Sequence, residues 1–269
     1  MVRQQLALSL VNLRQVVSSV TLSAALSCNW RTPKGDFKPI SLITRWLNFW
    51  LLRRKSASFA VGHMALAYIL GKSSASFLKV SFNIPLILVF SLIPDADILI
   101  GSLFNTEMHR GPTHSVIVAI LVFIPIFALY RKEAVPYFVA LMSHSLIGDF
   151  FIGGQVQLLW PLTTQQFGLY ELGLYWFYIS IWDPINVTVE WILFATSTVI
   201  MFKNRDLFLF FQDKRSNLLL AIPIVTVLLP TFVSYPLQEP ILLIPPHLFY
   251  LTLFSASVLI VLIGTLKKG

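Results

Sequence analysis

The sequence predicts an all-α fold, a polytopic transmembrane helical bundle of six or seven membrane segments, some of them short or broken. Three observations lead there. Hydrophobic residues make up 56% of the chain and charged residues only 12%, against about 25% charged residues in soluble domains. The mean hydropathy is +0.76. The apolar residues also fall into long blocks divided by short polar punctuation, and most of these blocks approach the roughly 20 residues that cross a bilayer as a helix. A multi-pass protein of the cell membrane is the expectation.

The blocks run in order as follows. A short one spans about 58–71 and carries Gly62-His63. The next, 84–104, contains Pro94, which removes a helical hydrogen bond and disrupts the helix where Asp95 and Asp97 stand. Gly111-Pro112 makes a turn ahead of the block 115–130, and 134–153 follows after Arg131-Lys132. Asp183-Pro184 reads as a capped helix start for 185–202. Two further blocks, 217–235 and 246–266, close the chain. Tyr170, Tyr175, Trp176, Tyr178 and Trp182 cluster in the connection before 185, as an interfacial belt or a lid would.

Charge divides the chain in two. Residues 1–55 hold nine Lys+Arg against Asp36 alone, whereas 56–269 hold eleven basic and eleven acidic residues, so the net charge of +8 resides in the first stretch. The expected organisation is a basic N-terminal extension, 1–55, suited to an anionic lipid surface, and a helical membrane domain, 56–269. Cys28 stands alone, which excludes an intrachain disulfide and a thiolate metal cluster. Without a Gly-x-Ser-x-Gly elbow, a Walker-type loop or a dinucleotide fingerprint, neither a serine hydrolase of that type nor a nucleotide-driven pump is supported. Nucleic-acid binding has no signature either. Membrane lipids and a small-molecule or lipid substrate are the expected partners.

Polar residues inside the blocks are where chemistry is expected. A carboxylate within a span costs about 2.5–3.5 kcal/mol on insertion scales and faces a cavity, a partner or an ion. Counting about 1.5 Å of rise per helical residue puts Asp97, His144 and Asp149 in one layer of the bilayer, with His109 and His114 in the connection above it. The turn at Gly111-Pro112 places Arg110 and free helix N-terminal N–H groups near two imidazoles, which suits an anionic group beside a metal. Mixed imidazole and carboxylate donors suit zinc first, with manganese or iron as alternatives. Residue types and spacing alone leave two readings open, a metal-dependent hydrolase and an ion or proton transporter or channel. Glu190, within 185–202, is a further candidate by position or a helix–helix hydrogen bond, and His247 reads as interfacial.

With Gly62-His63, Pro94-Asp95-x-Asp97, His109-Arg110-Gly111-x-Thr113-His114-Ser115, Ser143-His144, Asp149 and Leu158-Leu159-Trp160-Pro161 in view, the chain resembles the YdjM-like family of membrane-bound metal-dependent hydrolases over about residues 60–165. The resemblance implies a site drawn from His63, Asp95, Asp97, His109, His114, His144 and Asp149, acting on an ester or phosphoester, with a lipid among the substrates it would admit. On it we assign His63, Asp97, His114, His144 and Asp149 as metal ligands. Asp95 is then a ligand or general base, and His109 with Arg110 would steady the transferring group. One departure is informative. Family members tend to carry the later His and Asp four residues apart, whereas His144 and Asp149 are five apart and diverge by about 140° on an ideal helix. A π-bulge near Gly148 would realign them; without one, they cannot both ligate. The family also often has a histidine where this chain has Ile98.

Overall fold

A computed structural model describes residues 60–97, 110–151, 155–168, 183–233 and 240–267. The basic extension 1–55, His109 and the aromatic cluster Tyr170, Tyr175, Trp176, Tyr178 and Trp182 lie outside the described residues. Among the described residues the secondary structure is helical, with one isolated antiparallel bridge between Val156 and Phe167.

The first helix, α1, spans Ala60–Leu78 and is buried on nearly every side at its N-terminal half, where Ala60, Gly62, Ala65 and Ala67 let neighbouring backbones come close. It packs chiefly against α4 (Val135–Ser143) and α5 (Pro184–Lys203). The expectation of a short segment ending near residue 71 is corrected, since the helix runs one to two turns further, to Leu78. The reason lies far away in sequence. Lys72 donates to Asp206 Oδ2 at 2.6 Å and Tyr68 donates to the same oxygen at 2.7 Å, so the lysine is held against the protein instead of terminating the helix.

Helix α2, Ile84–Phe90, is capped by Asn83, whose Oδ1 accepts from Leu86 N at 3.1 Å, and it stops after seven residues. Beyond Ser91 the backbone tightens, with Asp95 N bonding to Leu92 O at 3.1 Å and Ala96 N to Ile93 O at 3.0 Å. The break expected at Pro94 is therefore present, and it turns the chain at the two aspartates. A single 3₁₀ turn at Pro112–His114 leads into α3, Val116–Tyr130, whose N-cap Ser115 accepts from Val118 N at 3.3 Å. Helix α3 buries Ala119 and Phe123 and leaves Ile120, Leu121, Val122 and Ile124 exposed, as a lipid-facing helix does. Helix α4 passes directly into a π-helical turn over His144–Asp149.

Residues 155–168 strap back over the start of α3. Gln157 N bonds to Arg110 O at 3.0 Å, Val116 N to Leu158 O at 2.9 Å, and the Ser115 hydroxyl donates to Trp160 O at 2.6 Å. Helix α5 begins as expected, with Asp183 Oδ1 accepting from Ile185 N at 2.8 Å and Pro184 in the first turn. The block 217–235 is not one regular helix. It comprises a 3₁₀ turn Arg215–Leu220, a helical turn Ala221–Pro223, a π-turn Ile224–Leu228 and α6, Leu229–Val233. The last helix, α7, spans Ile244–Leu266. Tyr68, Leu88, Met201, Phe210, Leu220, Tyr250 and Phe254 form the main core between α1, α2, α5 and α7.

Among the described residues two helical stretches are long and apolar enough to cross a membrane, Pro184–Lys203 with 20 residues and Ile241–Leu266 with 26. Regular helix is broken after Phe90 ahead of Pro94, at the π-turn His144–Asp149, and by the 3₁₀ and π turns between Arg215 and Leu228, whereas α1 and α3 are continuous.

Candidate metal centre

Three elements build the site: the break after α2, the turn ahead of α3, and the π-turn at the end of α4. The π-turn decides the geometry. Its i→i+5 hydrogen bonding brings residues five apart onto one face, so the spacing that would separate His144 from Asp149 on an α-helix now unites them. His144 Nε2 lies 3.3 Å from Asp149 Oδ2. Of the two alternatives left open by the sequence, the structure has the π-turn, over His144–Asp149.

Around this pair the structure gathers Asp95 and His114, so that one donor atom from each of the four residues lies within 4.8 Å of every other. His114 Nε2 is 3.0 Å from Asp149 Oδ2 and 3.8 Å from Asp95 Oδ1, and His144 Nε2 is 3.4 Å from Asp95 Oδ1. A tetrahedron with the 2.0–2.2 Å bonds typical of zinc to nitrogen and oxygen has edges of about 3.4 Å. The observed separations bracket that value. Two imidazole nitrogens and two carboxylate oxygens at this spacing are a donor set for a divalent cation, and the residues present fit one.

Charge points the same way. Asp95, Asp97 and Asp149 bring three negative charges and Arg110 one positive, all in mutual contact through His114 or directly. With neutral imidazoles these charges sum to minus two, an arrangement in a low-dielectric interior that a divalent cation would offset. Asp97, Arg110, His114, His144 and Asp149 are all buried, while the Asp95 side chain retains 18% exposure. The donor set therefore opens on the side of Asp95.

The flanking residues hold this arrangement. His144 Nδ1 donates to Ser91 O at 2.6 Å, and since a carbonyl only accepts, the neutral ring keeps its Nε2 lone pair for the centre. Ser91 O is available because Asp95 N bonds to Leu92 O instead of continuing the helical ladder. His63, on α1, stacks on His144 with ring centroids 3.9 Å apart and a tilt of 15°, and its Nε2 reaches Asp149 Oδ1 at 4.0 Å. Arg110 donates from its guanidinium to the same Asp149 oxygen at 3.2 Å, from a backbone with φ of 64°.

Of the residues assigned from sequence, then, the structure brings Asp95, His114, His144 and Asp149 into one group, with His63 and Arg110 against its edge. Asp97 is not one of the four but lies beside them. Its Oδ2 accepts from Arg110 N at 2.9 Å and Thr113 Oγ1 at 2.7 Å and lies 3.2 Å from His114 Nδ1. His109 lies outside the described residues. Sequence reasoning missed Ser91, which acts through a backbone carbonyl and so leaves no residue-type signal, and it gave Thr113 no role beyond the motif.

Two other candidates are not members of the group of four. Glu190 is buried on α5 with its carboxylate against the Cα of Gly62. His247 is fully buried within the protein, with Nε2 2.9 Å from Leu228 O. There it meets Leu228, the last residue of the π-turn Ile224–Leu228.

A family model described as YdjM inner membrane protein matches residues 59–239. No curated protein and no solved structure matches the chain. The match takes in every residue of the His/Asp group and more than half of the sequence, and the chain belongs to the YdjM inner membrane protein family.

Proposed function

We propose that this protein is a membrane-bound metal-dependent hydrolase of an ester or phosphoester, with lipids among its substrates, built on a bundle of six or seven membrane segments. The observation that carries the reading is the spacing of two imidazole nitrogens and two carboxylate oxygens, all within 4.8 Å, in a membrane-family chain. Asp95, His114, His144 and Asp149 would hold a divalent ion, zinc by preference for a mixed nitrogen and oxygen set of this size, with manganese or iron as alternatives. Held by these four donors with room for a fifth ligand, such an ion would acidify water and polarise an ester or phosphoryl oxygen.

The chain's own groups supply the rest. Asp95, on the open edge of the group, is the carboxylate placed to accept a proton from an attacking water. Arg110 presents its guanidinium beside Asp149 and is placed to receive negative charge on a substrate oxygen. The stacked ring of His63 closes the inner side of His144 and keeps bulk water from that face.

The test is turnover of phosphomonoester, phosphodiester, carboxylester and phospholipid substrates by zinc-loaded protein in detergent, beside ion flux through the same protein in liposomes. Hydrolysis that falls at least 100-fold in Asp95→Asn, with no flux, supports the reading. Flux without hydrolysis overturns it in favour of an ion or proton pathway made from the same residues.

A further inference from the structure

We infer that Asp97 is a positioning residue, the carboxylate that fixes the ring of His114 with its proton on Nδ1, and that it is not itself a metal ligand. The inference rests on and deepens the metal-centre reading above, and it gives Asp97 a place other than the ligand role expected from the sequence.

The geometry singles out one oxygen. Asp97 Oδ2 accepts the backbone N–H of Arg110 at 2.9 Å and the hydroxyl of Thr113 at 2.7 Å, and it faces His114 Nδ1 at 3.2 Å. Thr113 Oγ1 also lies 3.2 Å from that same ring nitrogen. A hydroxyl has one proton, and that of Thr113 goes to the carboxylate, so toward His114 the threonine oxygen can only accept. Both neighbours of Nδ1 are therefore acceptors, and the proton of a neutral ring must sit on Nδ1. Nε2 is left with its lone pair, aimed at Asp149 Oδ2 3.0 Å away and at Asp95 Oδ1 3.8 Å away.

Asp97 and the centre thus lie on opposite ring nitrogens of His114. An ion bound at Nε2 is on the far side of the imidazole from the Asp97 Oδ2 contact, while the carboxylate of Asp95, two residues earlier, is on the near side. The tight turns after Ser91 separate the two aspartates in this way. Pairing a ligating imidazole with a carboxylate on its other nitrogen fixes tautomer and orientation and raises ligand basicity, and removing such a partner costs about 10–100-fold in metal affinity. The same oxygen holds Arg110 N, so Asp97 also fixes the turn whose guanidinium reaches Asp149.

Two readouts test this. In zinc titrations of the full-length protein in detergent, Asp97→Asn should bind about 10–100-fold more weakly than wild type, yet reach the same stoichiometry at saturation. Its cobalt derivative should keep the absorption intensity of the wild type, because the donor set is unchanged. Independently of any metal, nitrogen NMR of histidine-labelled apoprotein should show His114 protonated on Nδ1 in wild type and mixed or inverted in Asp97→Asn, with the signal assigned by its loss in His114→Gln. Thr113→Val, which retains the carboxylate, provides a second variant and should weaken zinc binding by a smaller factor.

Failure to bind zinc at saturation, or a changed cobalt spectrum, would make Asp97 a ligand and overturn the inference. Unchanged affinity and tautomer in both variants would overturn it too. If wild type takes up no zinc but His114 carries its proton on Nδ1 in an Asp97-dependent way, the metal-centre reading falls and the orienting role of Asp97 stands.

Discussion

Gly148 and His63 are in direct contact: a side chain of even one carbon at Gly148 would overlap the imidazole of His63. The π-turn that aligns His144 with Asp149 thus brings its glycine against α1, and the glycine is what lets His63 stack on His144 at 3.9 Å. Gly148→Ala must displace either the ring or the turn. Overpacking of this kind costs about 1–3 kcal/mol. We expect an unfolding midpoint lowered accordingly in denaturant titrations in detergent, together with weakened zinc binding. A variant as stable and as metal-loaded as wild type would show that His63 and the π-turn are not coupled.

His247 offers the opposite pattern. It is buried and bonded to Leu228 O at the end of the second π-turn, and it is not a member of the group of four. His247→Leu leaves a buried carbonyl without this donor, at a cost of about 1–3 kcal/mol. Thermal unfolding should show the loss while metal content per folded chain stays at the wild-type level. Loss of metal at unchanged stability would place His247 in the centre and contradict this assignment.

Ser115 serves two elements at once. Its hydroxyl oxygen caps α3 at Val118 N, and its proton goes to the strap, with Trp160 O at 2.6 Å. Ser115→Ala removes both, and loss of an N-cap alone costs about 0.5–2 kcal/mol. Limited proteolysis should then cut within residues 155–168 several-fold faster than in wild type. Equal cleavage rates would mean that the backbone bonds of Gln157 N to Arg110 O and Val116 N to Leu158 O hold the strap without the serine.

Much of this architecture was legible in the sequence where a local rule applied. Pro94 predicted the break after α2 and Asp183-Pro184 the start of α5, while the five-residue spacing of His144 and Asp149 beside a glycine left a π-turn as one of two alternatives, the one the structure has. What was not legible depends on contacts distant in sequence or on backbone groups. The end of α1 was misjudged because Lys72 looks like a residue leaving the membrane until Asp206 is known to meet it at 2.6 Å. The sequence put Asp97 ahead of Asp95 as a ligand, whereas the four residues gathered within 4.8 Å include Asp95, because the tight turns that follow Ser91 set where each carboxylate lies. The Ser91 carbonyl that holds His144 is invisible to residue type altogether. Helix continuity was overestimated over 217–235, where apolar composition conceals a succession of 3₁₀, α and π turns.

The central claim is that Asp95, His114, His144 and Asp149 together hold one divalent cation. Its most direct test is elemental analysis of purified protein after zinc loading and removal of excess metal. Wild type should retain about one ion per chain, as a four-donor set of this kind binds, and His144→Ala and Asp149→Asn should retain none while still eluting as folded protein. Wild type that retains no ion, or variants that retain as much as wild type, would contradict the account.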